Sequence, residues 1–343
     1  MIQAFFHAWE RRLAAVSTDR VVRPFEWGLD WIPSNGSRAG ATPEEALLDW
    51  VSHVMRDTDR FFVAEPTSKY ALDRAARDGS RLLTFPTALE TPHRENNTVY
   101  GTLFMPRRKT RAAVLVLPQW NADAGGHFGL CRLLAMNGMA ALRLSLPYHA
   151  RRMPPELSRA DYIVSSKVGR TLQVCRQAVL DARRAIAWLA AEGFDRIGML
   201  GTSLGSCLSL LTTAHEPLVN AQALNHISPH FADVVWRGLS TAHVRRGLER
   251  HLDLDLLRAL WKPISPRWYL ERLRDRQTLL VYARYDLSFP VDLSEDLVRE
   301  FRERGVRHEL ATLPCGHYSS GKAPFKFLDG WVLMRFLKRS LDT

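Results

Sequence analysis

The segment Gly201-Thr202-Ser203-Leu204-Gly205 sets a serine between two glycines in the pattern G-x-S-x-G. A serine held this way can attack an acyl carbon. The glycines are needed because the serine then occupies a sharp strand-to-helix turn, where a β-carbon would meet the neighbouring strand and helix. The flanks suit that turn: the apolar run Ile197 to Leu200 precedes it and the helix-like run Cys207 to His215 follows. A hydroxyl is a weak nucleophile at neutral pH, so it needs a base within reach and a third group to orient the base. Of the twelve histidines, His317 lies in Pro314-Cys315-Gly316-His317, just after the last predicted strand, where a loop can carry an imidazole back over the serine. His243, His251 and His308 read as surface histidines. The acid should fall between serine and histidine in chain order. Asp286 ends the apolar strand LLVYARYD ahead of Pro290, whereas Asp292 and Asp296 fall on the following helix, where first-turn acids serve the helix dipole.

Acyl transfer also needs amide donors for the developing oxyanion. Leu204, directly after the nucleophile, supplies one. The second comes from Gln119 or Trp120, because Pro118 has no amide hydrogen. His149, Arg151 and Arg152 follow the fourth predicted strand and either bind an anionic or carbonyl group of the substrate or fix their own loop by salt bridges. His226 and His230 flank the end of the sixth strand and read as structural, with no third ligand to make a metal site. Trp236, Trp261 and Trp268 offer apolar surface for a pocket wall.

These residues need a scaffold that brings strand ends together. From residue 81 the chain alternates strands with helices: AAVLVLP at 112–118, AALRLSLP at 140–147, RIGMLG at 196–201, AQALNHIS, TLLVYARYD and RHELATLP, separated by helices near 127–137, 166–192, 291–304 and beyond 323. Continuous apolar strands suit a sheet covered on both faces, and parallel neighbours need crossover helices, so the expected class is α/β with a mostly parallel, doubly wound sheet. Residues 229–275 break the alternation and are expected as a helical, cap-like insertion over the strand ends, where ligands bind in such sheets. Residues 1–78 are expected as a helical N-terminal extension, with Thr42-Pro43-Glu44-Glu45 starting a helix. The rest, 79–343, forms the catalytic unit. The tryptophans of the extension, Trp9, Trp27, Trp31 and Trp50, are expected to pack on the main body, with some near the substrate entrance.

The 47 Lys+Arg against 36 Asp+Glu give a formal charge of +11, but the basic residues are spread thinly and accompany no nucleic-acid-binding motif. Nucleic acid is therefore not an expected partner. The four cysteines lie far apart without a C-x-x-C pair, which fits free thiols in a reducing compartment. The first residues carry an apolar run too short for a signal sequence, and no stretch is long enough for a membrane span, so a cytoplasmic location is expected. Phe5, Phe6, Trp9 and Leu13 form an apolar face that packs on the core or touches a membrane surface.

A strand, a G-x-S-x-G elbow, a late aspartate after a strand and Gly-His in the last loop together resemble the alpha/beta-hydrolase superfamily over about residues 81–340. The runs Leu146-Pro147-Tyr148-His149-Ala150-Arg151-Arg152 and Gly316-His317-Tyr318-Ser319 further resemble its abhydrolase-18-like branch, while Pro-Gln-Trp-Asn stands where hormone-sensitive-lipase-like esterases carry H-G-G-G. The resemblance implies a serine hydrolase of small-molecule carboxylic esters that works without a cofactor. Thioesters or peptides would use the same triad, and a catalytically silent scaffold on this fold is the alternative from another class.

Overall fold

A computed structural model of the protein describes residues 1–33 and 40–342; positions 34–39 of the expected extension and residue 343 lie outside the described residues. Helices α1 (Ile2–Ala14), α2 (Pro43–Arg56) and α3 (Thr58–Phe61) lead into strands β1 (Ala71–Leu72), β2 (Arg81–Pro86), β3 (Thr98–Phe104) and β4 (Ala112–Leu117). The alternating part follows as α4 (Phe128–Met136), β5 (Ala140–Leu144), α5 (Val168–Ala191), β6 (Arg196–Thr202), α6 (Leu204–His215) and β7 (Val219–Asn225). Three short helices, α7 (Phe231–Arg237), α8 (Ala242–Leu248) and α9 (Leu254–Leu260), fill the insertion. The chain closes with β8 (Gln277–Ala283), α10 (Val291–Glu303), β9 (Glu309–Leu313) and α11 (Phe325–Leu341).

The strands form one sheet in the order β1-β2-β3-β5-β4-β6-β7-β8-β9. From β5 to β9 all neighbours are parallel, while β1, β2 and β3 add an antiparallel edge. The apolar run of β4 shows why no alternation was needed. Ala113, Leu115 and Leu117 face a core with α2, α5 and α6, while Ala112, Val114 and Val116 face a second core with α4 and α11. Both faces are buried, so every position is apolar. The start of α2 at Thr42 forms a reciprocal cap: Glu45 N–H donates to Thr42 Oγ1 (3.3 Å), and Thr42 N–H donates to Glu45 Oε2 (2.8 Å).

The extension does not stand apart from the core. Trp50 and Val51 of α2 are core residues, and Phe25, Trp27 and Trp31 pack against the same cluster. All four cysteines are free and buried, and no helix among the described residues is long and apolar enough to cross a membrane.

The loop after β5 is held by a buried ion pair. Arg152, with a fully buried side chain, donates to Asp181 Oδ2 on α5 (2.8 Å) and to the carbonyls of Asn96 (2.9 Å) and Ser145 (3.0 Å). Thr87 Oγ1 and Ala88 N–H occupy Asp181 Oδ1. Arg152 therefore fixes its own loop. Replacing it would leave a carboxylate with its partner gone in low dielectric, so Arg152→Met is expected to destabilise the protein by about 3–5 kcal/mol in chemical denaturation. A loss below about 1 kcal/mol, the scale of an exposed pair, would contradict this.

Candidate active site

Strand β6 delivers Thr202, and α6 begins at Leu204, so Ser203 takes the whole change of direction. Its backbone sits at φ 57°, ψ −119°, a region L-residues rarely adopt. The two glycines make this turn possible. A β-carbon on Gly201 would lie 2.2 Å from the Gly205 carbonyl oxygen, and one on Gly205 would lie 2.1 Å from the oxygen of Leu117. The elbow is thereby pressed against the end of β4, directly before Gln119 and Trp120. Ser203 N–H donates to Asn225 O (2.8 Å), which ties it to the end of β7. The amide of Leu204 is among the first of α6, where helix geometry leaves N–H groups without an intrahelical acceptor and the dipole favours negative charge.

Asp286 follows β8 and is 3% exposed. Its Oδ1 accepts the N–H groups of Ser288 and Phe289, both at 2.7 Å, which ties the carboxylate into its own turn ahead of α10. Its Oδ2 accepts from His317 Nδ1 at 3.0 Å, and Nδ1 of His226 lies 3.1 Å from the same oxygen. Burial alone would raise the Asp286 pKa. The charge on His317 and the contacts with both imidazoles outweigh it and hold the carboxyl well below its ordinary range. For His317, burial lowers the pKa, but the charge of Asp286, its hydrogen bond and the charge of Glu10 leave it raised above the ordinary 6.5. With the Nδ1 proton committed to the carboxylate, Nε2 is the acceptor. The loops of acid and base are laced together, Arg284 N–H donating to Leu313 O and Tyr285 N–H to Cys315 O, each at 2.9 Å.

Ser203 opens on an apolar cavity of about 40 Å³ lined by Trp120, Val164, Leu204, Cys207, Phe231, Val234, Val235, Thr241, Pro266 and Phe289, with Ser228, His230 and Ser240 as further polar members. The Phe289 ring stacks on His317 at 5.4 Å between centroids and 9° between planes. One residue therefore joins the cavity wall to the His317–Asp286 pair. Residues of the insertion supply much of the wall, from α7 and the stretch after it.

The other residues singled out in the sequence are placed as follows. Trp120 lines the cavity, its Nε1 donating to Ala160 O (2.8 Å), while Gln119 is half-buried beside it. His149 is buried, with Asn121 N–H donating to Nε2 and Nδ1 facing Pro147 O, each at 2.9 Å. Burial lowers its pKa to about 4, and its two nitrogens are engaged by Asn121 and Pro147, so it is not offered to a substrate. Arg151 is exposed, its guanidinium over the Tyr100 ring. Trp261 is wholly buried, its Nε1 donating to Val168 O (3.3 Å), and Trp236 carries Arg245 over its ring. Neither tryptophan lies in the cavity wall, and Trp268 is exposed against Lys262, because the smaller apolar residues of α7 are the ones turned inward. His243 is not on the surface: it is 2% exposed and stacks on Trp120 at 5.6 Å.

His226 was legible only as a residue at a strand end. The structure sets its ring 4.7 Å from that of His317. Among the described residues neither of its ring nitrogens has a well-aligned hydrogen-bond partner. His226, Asp286 and His317 also form the group, among the described residues, dense enough to hold a metal ion, with donor atoms within 4.8 Å of one another. Both Asp286 oxygens are already engaged, Oδ1 by two amides and Oδ2 by His317 with the His226 ring beside it, so the carboxylate reads as a hydrogen-bond hub.

No family model matches the chain, and no curated protein matches it in sequence. Solved structures do resemble it. Acetyl xylan esterase 1 from Thermoanaerobacterium sp. JW/SL YS485 is 13% identical, with a TM-score of 0.60 over 96% of this chain and 98% of that one. The acetyl xylan esterase from Paenibacillus sp. R4 is 14% identical, with a TM-score of 0.62 over 92% and 99%. The acylaminoacyl peptidase of Pyrococcus horikoshii is 14% identical, with a TM-score of 0.58 over 81% of this chain but 42% of that one, so the chain spans about two fifths of that protein's length. At such identities the likeness is one of architecture: the chain has the alpha/beta-hydrolase fold.

Proposed function

We propose that the protein is a serine hydrolase that cleaves short-chain carboxylic esters through an acyl-enzyme. The observation that carries this reading is Ser203, held in a strained elbow at an apolar cavity whose wall, Phe289, stacks on the His317–Asp286 pair. In the first step Ser203 Oγ attacks the acyl carbon while its proton passes to His317 Nε2, and Asp286 stabilises the imidazolium. The oxyanion is received by the Leu204 amide and by that of Trp120, which is favoured over Gln119 because Trp120 reaches the cavity. Collapse expels the alcohol, which takes the proton from His317. Water, deprotonated by the same imidazole, then releases the acid and frees Ser203. A cavity of about 40 Å³ holds only a few water-sized groups, which suits an acetyl to butyryl chain. Short acyl groups also figure in the names of the acetyl xylan esterases that share the fold.

The first test is Ser203→Ala with fluorophosphonate labelling. The wild-type protein should take one adduct on Ser203, and the variant should lose hydrolysis of p-nitrophenyl acetate by about 10⁴-fold or more. A wild-type protein that takes no adduct would be a silent scaffold. The second is the pH dependence of kcat/KM. Only neutral imidazole accepts the serine proton, and His317 is raised above 6.5, so activity should fall as pH drops through a midpoint above that value. In Asp286→Asn, burial is no longer opposed by the main charge, so the midpoint of the residual activity should move to lower pH. An acid limb that ignores this substitution would place the base elsewhere. The third is chain length: acetate and butyrate esters should outrun palmitate, and Val234→Ala should raise hexanoate relative to acetate by about tenfold, the scale on which apolar pockets discriminate methylenes. Equal loss on all esters would make Val234 a packing residue.

A further inference from the structure

Helix α1 lies outside the strand–helix alternation, yet it carries a buried carboxylate. Glu10 is 0% exposed. A carboxylate is costly to bury unless its oxygens find donors, and alanine would serve the helix better, so the residue needs a reason in its contacts. Those contacts are on the loop that bears His317. Glu10 Oε2 accepts the N–H of Tyr318 (2.8 Å) and Oε1 accepts that of Ser319 (2.9 Å). On the other side of His317, Gly316 leaves the space for the carboxylate, since a β-carbon there would come 2.3 Å from Glu10 Cδ.

The same segment also grips the loop of the acid. Phe6, one turn earlier, stacks on Tyr285, the residue before Asp286, at 4.5 Å and 8°. Beyond the helix, Arg20 donates to Tyr318 Oη (3.0 Å). Three side chains of the N-terminal segment therefore hold residues directly next to Asp286 and His317. A loop held next to its histidine limits how far the imidazole can move, and in the triad reading misplacement on the ångström scale is costly.

We propose that Glu10 is a positioning residue for His317, which makes α1 a working part of the site rather than an appendage. The proposal rests on the triad reading given above. Glu10 acts through the two amides and through its charge. Burial pulls the His317 pKa down, while Asp286 and then Glu10 pull it up. The titratable or charged groups facing that imidazole are Asp286, Glu10, His226 and Tyr318, with Asp329 behind His226.

The test uses the full chain with Glu10→Gln, which keeps the volume and one acceptor oxygen but removes the charge and sets an amide nitrogen against a backbone N–H. We expect kcat on p-nitrophenyl acetate to fall ~10- to 100-fold with KM little changed. The acid limb should shift down by about half a pH unit or more. Independently of turnover, the His317 imidazole followed by NMR in a Ser203→Ala background should titrate at lower pH when Glu10→Gln is added. Glu10→Asp retains the charge but retracts it by one methylene, so it should keep the limb near the wild-type position and lose part of kcat. A folded Glu10→Gln protein with an unmoved His317 titration overturns the proposal, whether its kcat is normal or falls only with thermal stability. If Glu10→Gln does not fold, Glu10→Asp with the wild-type kcat overturns it as well. Absence of a fluorophosphonate adduct on wild-type Ser203 would instead sink the hydrolase reading, and the NMR titration would still decide the link between Glu10 and His317.

Discussion

A carboxylate 3% exposed to solvent, that of Asp286, is the contact on which the arrangement of the site depends. Taking such a group out of water is unfavourable unless every lone pair finds a donor. Two backbone amides of its own turn fill one oxygen, and the other faces the rings of His317 and His226. Donors from the turn after β8 and from the loop after β9 meet on this one group, with the His226 ring from the end of β7 beside it, so three strand ends converge there. The imidazole of His317 gains its fixed tautomer and its raised pKa from the same contact.

The scaffold supplies what that hub cannot, a serine that lines the cavity yet is rigid. The backbone of Ser203 is strained, and strain of this kind, on the order of 1–3 kcal/mol, persists only where the surroundings determine it. Here the determinants are close approaches. Gly205 lies against the Leu117 carbonyl and Gly201 against the backbone of Gly205, so β4, β6 and α6 lock the turn from both sides. The apolar strands, buried on both faces, make that lock stiff.

Segments outside the alternating core then decide access and alignment. The insertion closes a small apolar cavity over Ser203 with residues of α7, using valines and a phenylalanine rather than its tryptophans, which pack elsewhere. His149 and Arg152 hold the turn at Trp120 and the loop after β5 from within. The N-terminal segment reaches across the molecule to the His317 and Asp286 loops.

By itself, the sequence determined the elements and the local geometry that depends on pattern. Apolar runs with Gly and Pro boundaries read correctly as strands and helices, because burial on two faces and chain reversal act within a few residues. The pattern G-x-S-x-G announced its own geometry, since its glycines answer clashes between near neighbours in the chain. The order of Ser203, Asp286 and His317 could be read because each sits at the end of a legible strand. What only the tertiary structure decided are contacts between residues far apart in sequence: Glu10 against Tyr318 and Ser319, His226 beside Asp286, and Val234 rather than Trp261 in the cavity wall. Whether a buried polar group or a large ring faces the site depends on which partner arrives across the fold, and that partner leaves no mark in the local pattern.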